Sequence, residues 1–291
     1  MDWSPDRRLR RRMALALALT ALGYVALLGP VYWLLPAPAA LAVTGVLIAV
    51  VGGLALGADR LAYLVTRAVA IERDDYPKLF ETVDRLAAQA DVPRPPVAVI
   101  PTDEPNALSA GTGKRTVVCV TLGLLKELDD DELEAVLAHE LAHLKNADST
   151  VLTVAGFPAT VALVTLTTAL RNVDGKAIVF GYVGAVLYLA LVSLPLLLVS
   201  LPGTLVLSRY REYAADRGAV TLTGEAVPLA TALGKLHGAA DPPETDLRRT
   251  AGFNAFCIVP TRYTPLPLPS THPPTHERIR RLRELQADME A

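Results

Sequence analysis

His139-Glu140-Leu141-Ala142-His143 is an H-E-x-x-H segment set in a run of helix-forming residues. On a helix, residues four apart share one face about one turn from each other. Two imidazoles so placed can hold one zinc ion. Glu140, beside the first of them, can then take a proton from a water that the ion activates. The chemistry within reach of this constellation is amide hydrolysis, because the ion acidifies water and polarises a carbonyl. One extended form of the pattern has a third histidine six residues past His143, and Ser149 stands there instead. A third ligand must come from elsewhere in the chain.

The downstream segment Ser208-Arg209-Tyr210-Arg211-Glu212-Tyr213-Ala214-Ala215-Asp216 offers candidates. Glu212 and Asp216 are four apart and share a helical face. Glu212 can complete a ligand set, and Asp216 can accept a hydrogen bond from a ligating histidine and fix its tautomer. The same spacing also suits a solvated face whose carboxylates pair with the neighbouring arginines. Spacing alone does not separate the two.

The elements that must position these residues are embedded in an unusually apolar chain. Of its 291 residues 52% are hydrophobic, and the mean hydropathy is +0.34. That is too apolar for an ordinary soluble domain of this size. Four uncharged runs carry the excess: Met13 to Leu35, Ala37 to Gly57, Val151 to Leu170 and Ala177 to Leu207. Each reaches the ~20 residues that cross a bilayer core. Arg7, Arg8, Arg10, Arg11 and Arg12 precede the first run, and such a basic flank stays on the cytoplasmic side. The expected path is an N-terminal transmembrane hairpin (1–58), a cytosolic part carrying the histidines (59–150), a second hairpin (151–207) and a C-terminal part carrying Glu212 (208–291). The short link Arg171 to Lys176 then lies outside. The first run is too long, and too soon followed by another, to be a cleaved signal peptide.

Charged residues flank the H-E-x-x-H segment on both sides, with Asp130, Asp131 and Glu132 before it and Lys145 and Asp148 after. The site is therefore expected at the cytoplasmic membrane surface rather than in lipid. Asp129 with Glu132 three residues later forms a capping-box pattern that starts the helix. Helical spacing from Tyr76 to Ala90 predicts an amphipathic helix, which the prolines after Asp91 end. Val97 to Ile100 and Thr116 to Thr121 read as strands, with Gly111 to Lys114 as a turn. The strand at Thr116 to Thr121 is a candidate edge for an extended peptide, with Asn106, Ala107, Val118 and Val120 along the groove. Cys119 and Cys257 are too few for a disulfide framework and suit small buried apolar positions.

Several classes are disfavoured. The apolar runs lack the ionisable residues a transporter needs at mid-membrane. No G-x-x-x-x-G-K-[ST] loop is present, so nucleotide binding is not expected. The net charge of −2 is uninformative about partners, and no nucleic-acid partner is expected. A membrane scaffold or latent pseudo-protease that binds zinc without turnover is the alternative, and such a protein has little use for Glu140.

His139-Glu140-x-x-His143 followed by Arg211-Glu212-x-x-Ala215-Asp216 resembles the HtpX-type membrane zinc metallopeptidases, gluzincins related to the CAAX prenyl endopeptidases. Pro105-Asn106-Ala107-Leu108-Ser109-Ala110-Gly111 resembles that family's Asn-Ala-Phe-Ala segment, with Leu108-Ser109 where Phe-Ala is usual. Val120 to Leu125 resembles its strand-to-helix passage, and His272-Pro273 with Arg278 its C-terminal element. The resemblance implies a mainly α integral membrane protein with about four transmembrane helices and a cytosolic zincin-like α+β catalytic domain with a small β-sheet. It implies one zinc ion held by His139, His143 and Glu212, with Glu140 as general base and Asp216 orienting a ligand. By the same likeness His272, oriented by Arg278, polarises the scissile carbonyl; it can instead fill the open zinc position in a latent state, or be a surface histidine. His237 and His276 read as surface residues. Implied partners are polypeptides, among them damaged membrane proteins, and the lipid bilayer of the cell (inner) membrane. The proline-rich stretch Asp241 to Pro274 is either a loop over the cleft or a plain connection.

Overall fold

The computed structural model describes residues 7–171, 183–239 and 272–291. The expected link at 172–176, Cys257 and the proline-rich stretch as far as residue 271 lie outside the described residues. Four helices are long and apolar enough to cross a membrane: Ala14–Leu34, Ala37–Leu56, Asp148–Thr167 and Ser193–Thr223. They belong to α1 (Arg7–Leu34), α2 (Ala37–Leu56), α7 (Asp148–Arg171) and α8 (Val183–Thr223). The break between α1 and α2 falls at Pro36, which fixes its own φ and withholds an N–H.

The membrane helices meet through small residues. A Cβ on Gly203 of α8 would stand 2.9 Å from Leu19 Cβ and 3.1 Å from the Ala16 carbonyl oxygen of α1. Only glycine permits that approach, and close backbones are how helices associate where lipid removes the hydrophobic drive. Tyr24 Oη donates to the Val154 carbonyl at 2.8 Å, joining α1 to α7. Thr and Ser hydroxyls along α7 and α8 bond back to their own helices, as Ser200 does to Leu196 O at 2.6 Å. In contrast, α2 turns Leu41, Val46, Ile48 and Leu56 outward, where lipid would cover them.

Between the hairpins the chain builds a four-stranded mixed sheet of β1 (Val69–Ala70), β2 (Val97–Ile100), β3 (Ala107–Thr112) and β4 (Arg115–Thr121), in the order β1-β2-β4-β3. β2 and β4 run parallel, and β3 pairs antiparallel to β4 with Ala107 opposite Val120 and Thr112 opposite Arg115. Alternation along the strands divides two cores. Val97, Val99, Val118 and Val120 face α4 (Pro77–Ala90) and α6 (Asp130–Lys145). Ala98, Ile100, Val117 and Cys119 face Ala58 and Ala62 of α3 (Ala58–Thr66). Cys119 is a small buried apolar residue as expected.

One expectation is overturned. β4 is not an edge strand: β2 and β3 flank it, and Val118 and Val120 are fully buried in the core. The edge on this side is β3, a strand whose Ala, Ser and Gly conceal it from propensity. Its turn to β4 requires glycine at 111, where φ is +99° and a Cβ would fall 1.9 Å from the Arg115 carbonyl oxygen. The short α5 (Leu122–Glu127) leads from β4 toward α6, and α9 (Val227–Ala239) and α10 (Thr275–Glu290) close over α6 and α8. The helix α8 runs unbroken across position 207, carrying the last span directly into the Glu212 segment.

Candidate active site

The motif helix α6 starts as its sequence predicts. Asp129 accepts from the Glu132 amide at 2.9 Å while Glu132 accepts from the Asp129 amide at 3.1 Å, a complete capping box. Lys235 of α9 reaches Glu132 at 2.6 Å and ties the cap to the C-terminal part. Three turns on, His139, Glu140 and His143 are buried. Ser109 of β3 donates to the Glu140 carbonyl at 3.0 Å, setting the edge strand beside the motif.

Glu212 and Asp216 do not form a solvated face. Both are buried, and α8 delivers them against α6. His139 Nε2 and His143 Nε2 lie 3.1 Å apart. Glu212 Oε2 is 3.6 Å from the first and Oε1 3.7 Å from the second. A tetrahedral ion with bonds of about 2.0–2.2 Å separates its ligand atoms by roughly 3.3–3.6 Å, so the three side chains fit one metal ion. They are the one such group among the described residues, and His272 does not join it.

The tautomers agree with this. His143 Nδ1 stands 2.6 Å from Asp148 Oδ2 and His139 Nδ1 3.1 Å from Asp216 Oδ1. Each carboxylate calls for a proton on the Nδ1 it faces, which turns both Nε2 lone pairs toward the same point. Lone pairs 3.1 Å apart repel unless a cation lies between them. The surroundings are built for positive charge. Burial opposes the imidazolium of His139, but the facing carboxylates of Asp216 and Glu212 outweigh it and raise its pKa to about 9. Neither oxygen of Glu212 has a hydrogen bond, nor does either oxygen of Glu140, although both residues are buried. Buried carboxylates without hydrogen bonds are rare except where a ligand or a reaction uses them.

Two buried arginines flank Glu212. Arg211 Nη2 lies 3.2 Å from Oε1 and Arg278 Nη1 3.2 Å from Oε2. Arg278, on α10, also donates to Asp216 through Nε at 3.0 Å and Nη2 at 2.6 Å. Burial works against its charge, yet Asp216 and Glu212 hold its pKa above the ordinary value. His272 is buried with Nδ1 3.4 Å from Glu212 Oε1, so it is not a surface residue. His237 and His276 are exposed, as expected. Asn106 and Ala107 are buried at the start of β3.

The sequence marks Asp148 only as a flanking charge, Arg211 only as a neighbour for the carboxylates, and Ser109 only as a departure from the family's segment. The signal for Asp148 was its position five residues after His143, just past the helix end. Ala147 at φ +53° turns the chain there, so that the first residue of α7 faces back to the motif.

The chain is similar to known proteins. The model of peptidase family M48 matches residues 74–286. "Protease HtpX homolog" from Moorella thermoacetica is 40% identical over 300 residues, covering 98% of this chain and 97% of its own. "Protease HtpX homolog 1" from Streptomyces coelicolor is 39% identical over 305 residues, covering 98% and 95%. The crystal structure of S. mikatae Ste24p superposes with a TM-score of 0.51 at 19% identity, over 94% of this chain and 67% of that one, a likeness of fold. The chain belongs to peptidase family M48, as a membrane metalloprotease of the HtpX type.

Proposed function

We propose that the protein is a zinc-dependent endopeptidase that cleaves cytosol-exposed segments of misfolded or damaged membrane proteins. The observation that carries this reading is the convergence of His139, His143 and Glu212 beside a buried Glu140 whose oxygens have no hydrogen-bond partner. Two imidazoles and one carboxylate suit zinc and leave a position open. When bound, the ion supplies a water acidic enough to attack near neutral pH and polarises the carbonyl. Glu140 accepts the proton of the attacking water and passes it to the leaving amine. Asp148 and Asp216 hold the two imidazoles, and Arg278 holds Asp216 and Glu212. His272 lies outside the ligand group, which favours a role on the scissile carbonyl over occupation of the open position. Extended substrate would pair with β3, the edge strand beside Glu140, with Asn106 and Ala107 at its entrance.

The arginine cluster before α1 supports a site on the cytoplasmic side of the cell membrane. The sequence has no P-loop to couple unfolding to nucleotide hydrolysis, which favours segments already unfolded as substrates. The alternative is a scaffold that binds zinc without turnover, and an oriented, unpartnered Glu140 is the feature such a scaffold would not require. Purified protein with stoichiometric zinc should degrade an unfolded casein-like substrate, and chelator should stop it. Glu140→Gln should lose cleavage while keeping zinc, whereas Glu212→Ala should lose the zinc. A zinc-loaded Glu140→Gln protein that still cleaves removes Glu140 from the mechanism. No cleavage by the zinc-loaded natural sequence favours the scaffold.

A further inference from the structure

The edge strand is not open along its length. In antiparallel pairing, backbone groups alternate between the partner and the free side. The Thr121 amide donates to the Asn106 carbonyl, so Asn106 faces β4, and Ala107, Ser109 and Gly111 turn their amides and carbonyls outward. At Gly111 both outward groups are taken by one side chain. The amide donates to Ser149 Oγ at 3.0 Å, and Ser149 Oγ donates to the Gly111 carbonyl at 2.8 Å. Accepting from the N–H and donating to the C=O of one residue is what a paired strand residue does. Ser149 therefore stands in the place of the next β partner. It is buried in the first turn of α7, next to Asp148, which holds His143. At the other end, Asn106 Oδ1 takes the Ala107 amide at 2.9 Å. Ser109 lies between, and among the described residues no hydrogen bond reaches its outward amide or carbonyl.

We propose that the Ser149 hydroxyl is the end stop of the peptide-binding edge, so that a substrate strand pairs with β3 at Ser109 and must leave it before Gly111. This rests on the peptidase reading with β3 as the substrate edge. The stop lies on the membrane side, because Gly111 meets the start of α7. A substrate therefore offers a short extended stretch and bends away from the end nearest the bilayer. Ser149 is a specificity-determining residue; it touches neither the metal ligands nor Glu140 through any bond described above.

The test uses the full-length, zinc-loaded protein and a peptide series lengthened one residue at a time from each end around a cleaved bond. For the natural sequence, kcat/KM should stop rising at an early residue on one side only. Ser149→Ala should extend the rise on that side by about 2- to 10-fold, the worth of one or two added main-chain hydrogen bonds. It should also speed hydrogen exchange at the Gly111 amide and leave zinc content unchanged, and Ser149→Thr should restore the natural length dependence. Faster Gly111 exchange in Ser149→Ala with an unaltered length dependence overturns the end stop. So does a natural sequence whose kcat/KM keeps rising at both ends, with no variant required. Zinc-loaded protein that cleaves no peptide overturns the peptidase reading itself, and the end stop with it.

Discussion

His143 shows how far a single hydrogen bond can govern the site. Its ring is held from behind by Asp148 at 2.6 Å, and that contact decides which nitrogen faces Glu212. Removing a carboxylate that orients a ligating histidine commonly lowers metal affinity by about 10–100-fold. Asp148→Ala is expected to do so, measured by competition with a chromophoric chelator, with the fold retained. The histidines and Glu140 were legible in the sequence because a four-residue spacing on a helix is a local fact. Glu212 was legible only as one of two readings, since a carboxylate pair near arginines looks the same in solvent and in a core. Asp148 was missed because the turn at Ala147 brings it back, and a left-handed alanine carries no sequence mark. Arg278 was expected to orient His272. Its strongest described bonds instead go to Asp216, so it neutralises buried carboxylates around the ligands.

Among the elements, α6 was the most legible, because its cap, its acidic first turn and its apolar interior agree. The cap also links parts of the molecule, since Glu132 receives both the Asp129 amide and Lys235. Asp129→Ala removes one side of the box and is expected to cost about 1 kcal/mol, read as a lower thermal midpoint by circular dichroism in detergent. An unchanged midpoint would show that packing against α9 holds the helix start without its cap. The sheet was half legible. β2 and β4, rich in β-branched residues, were found within a residue, but β3 was not, and strand order cannot be read from strands that are not seen. That is why β4 reads as the edge in the sequence: the turn at Gly111 is visible, while the strand leading into it, with Ser109 and Gly111 in it, carries no β signal.

On the scale of the whole molecule, membrane and catalytic parts are one packed body rather than a head on a stalk. α7 supplies Asp148 and Ser149, and α8 supplies Glu212 and Asp216. The uncharged runs made the four spans legible, but not which of them touch. That choice rests on surface shape, as at Gly203 against α1. Gly203→Leu would drive a side chain into Leu19 and the Ala16 backbone, and overpacking of this kind costs about 1–3 kcal/mol. A lower thermal midpoint is expected for it, and none for Gly45→Leu, where an added Cβ meets nothing within 4 Å. Equal midpoints for the two would mean that α1 and α8 are not held by this contact.

The unbroken course of α8 has a mechanical consequence. Ser193 and Glu212 belong to one helix, with Pro195 and Pro202 between them, and stand about 28 Å apart along it, at ~1.5 Å per residue. A span answers changes in bilayer thickness by tilting. If this helix swings as a whole by about 5° about Ser193, the Glu212 carboxylate moves by roughly 2 Å, ten times the ~0.2 Å tolerance of a metal–ligand distance. Unless α6 moves with it, the lever that presents Glu212 makes the geometry of the metal centre answer to the thickness of the lipid around it.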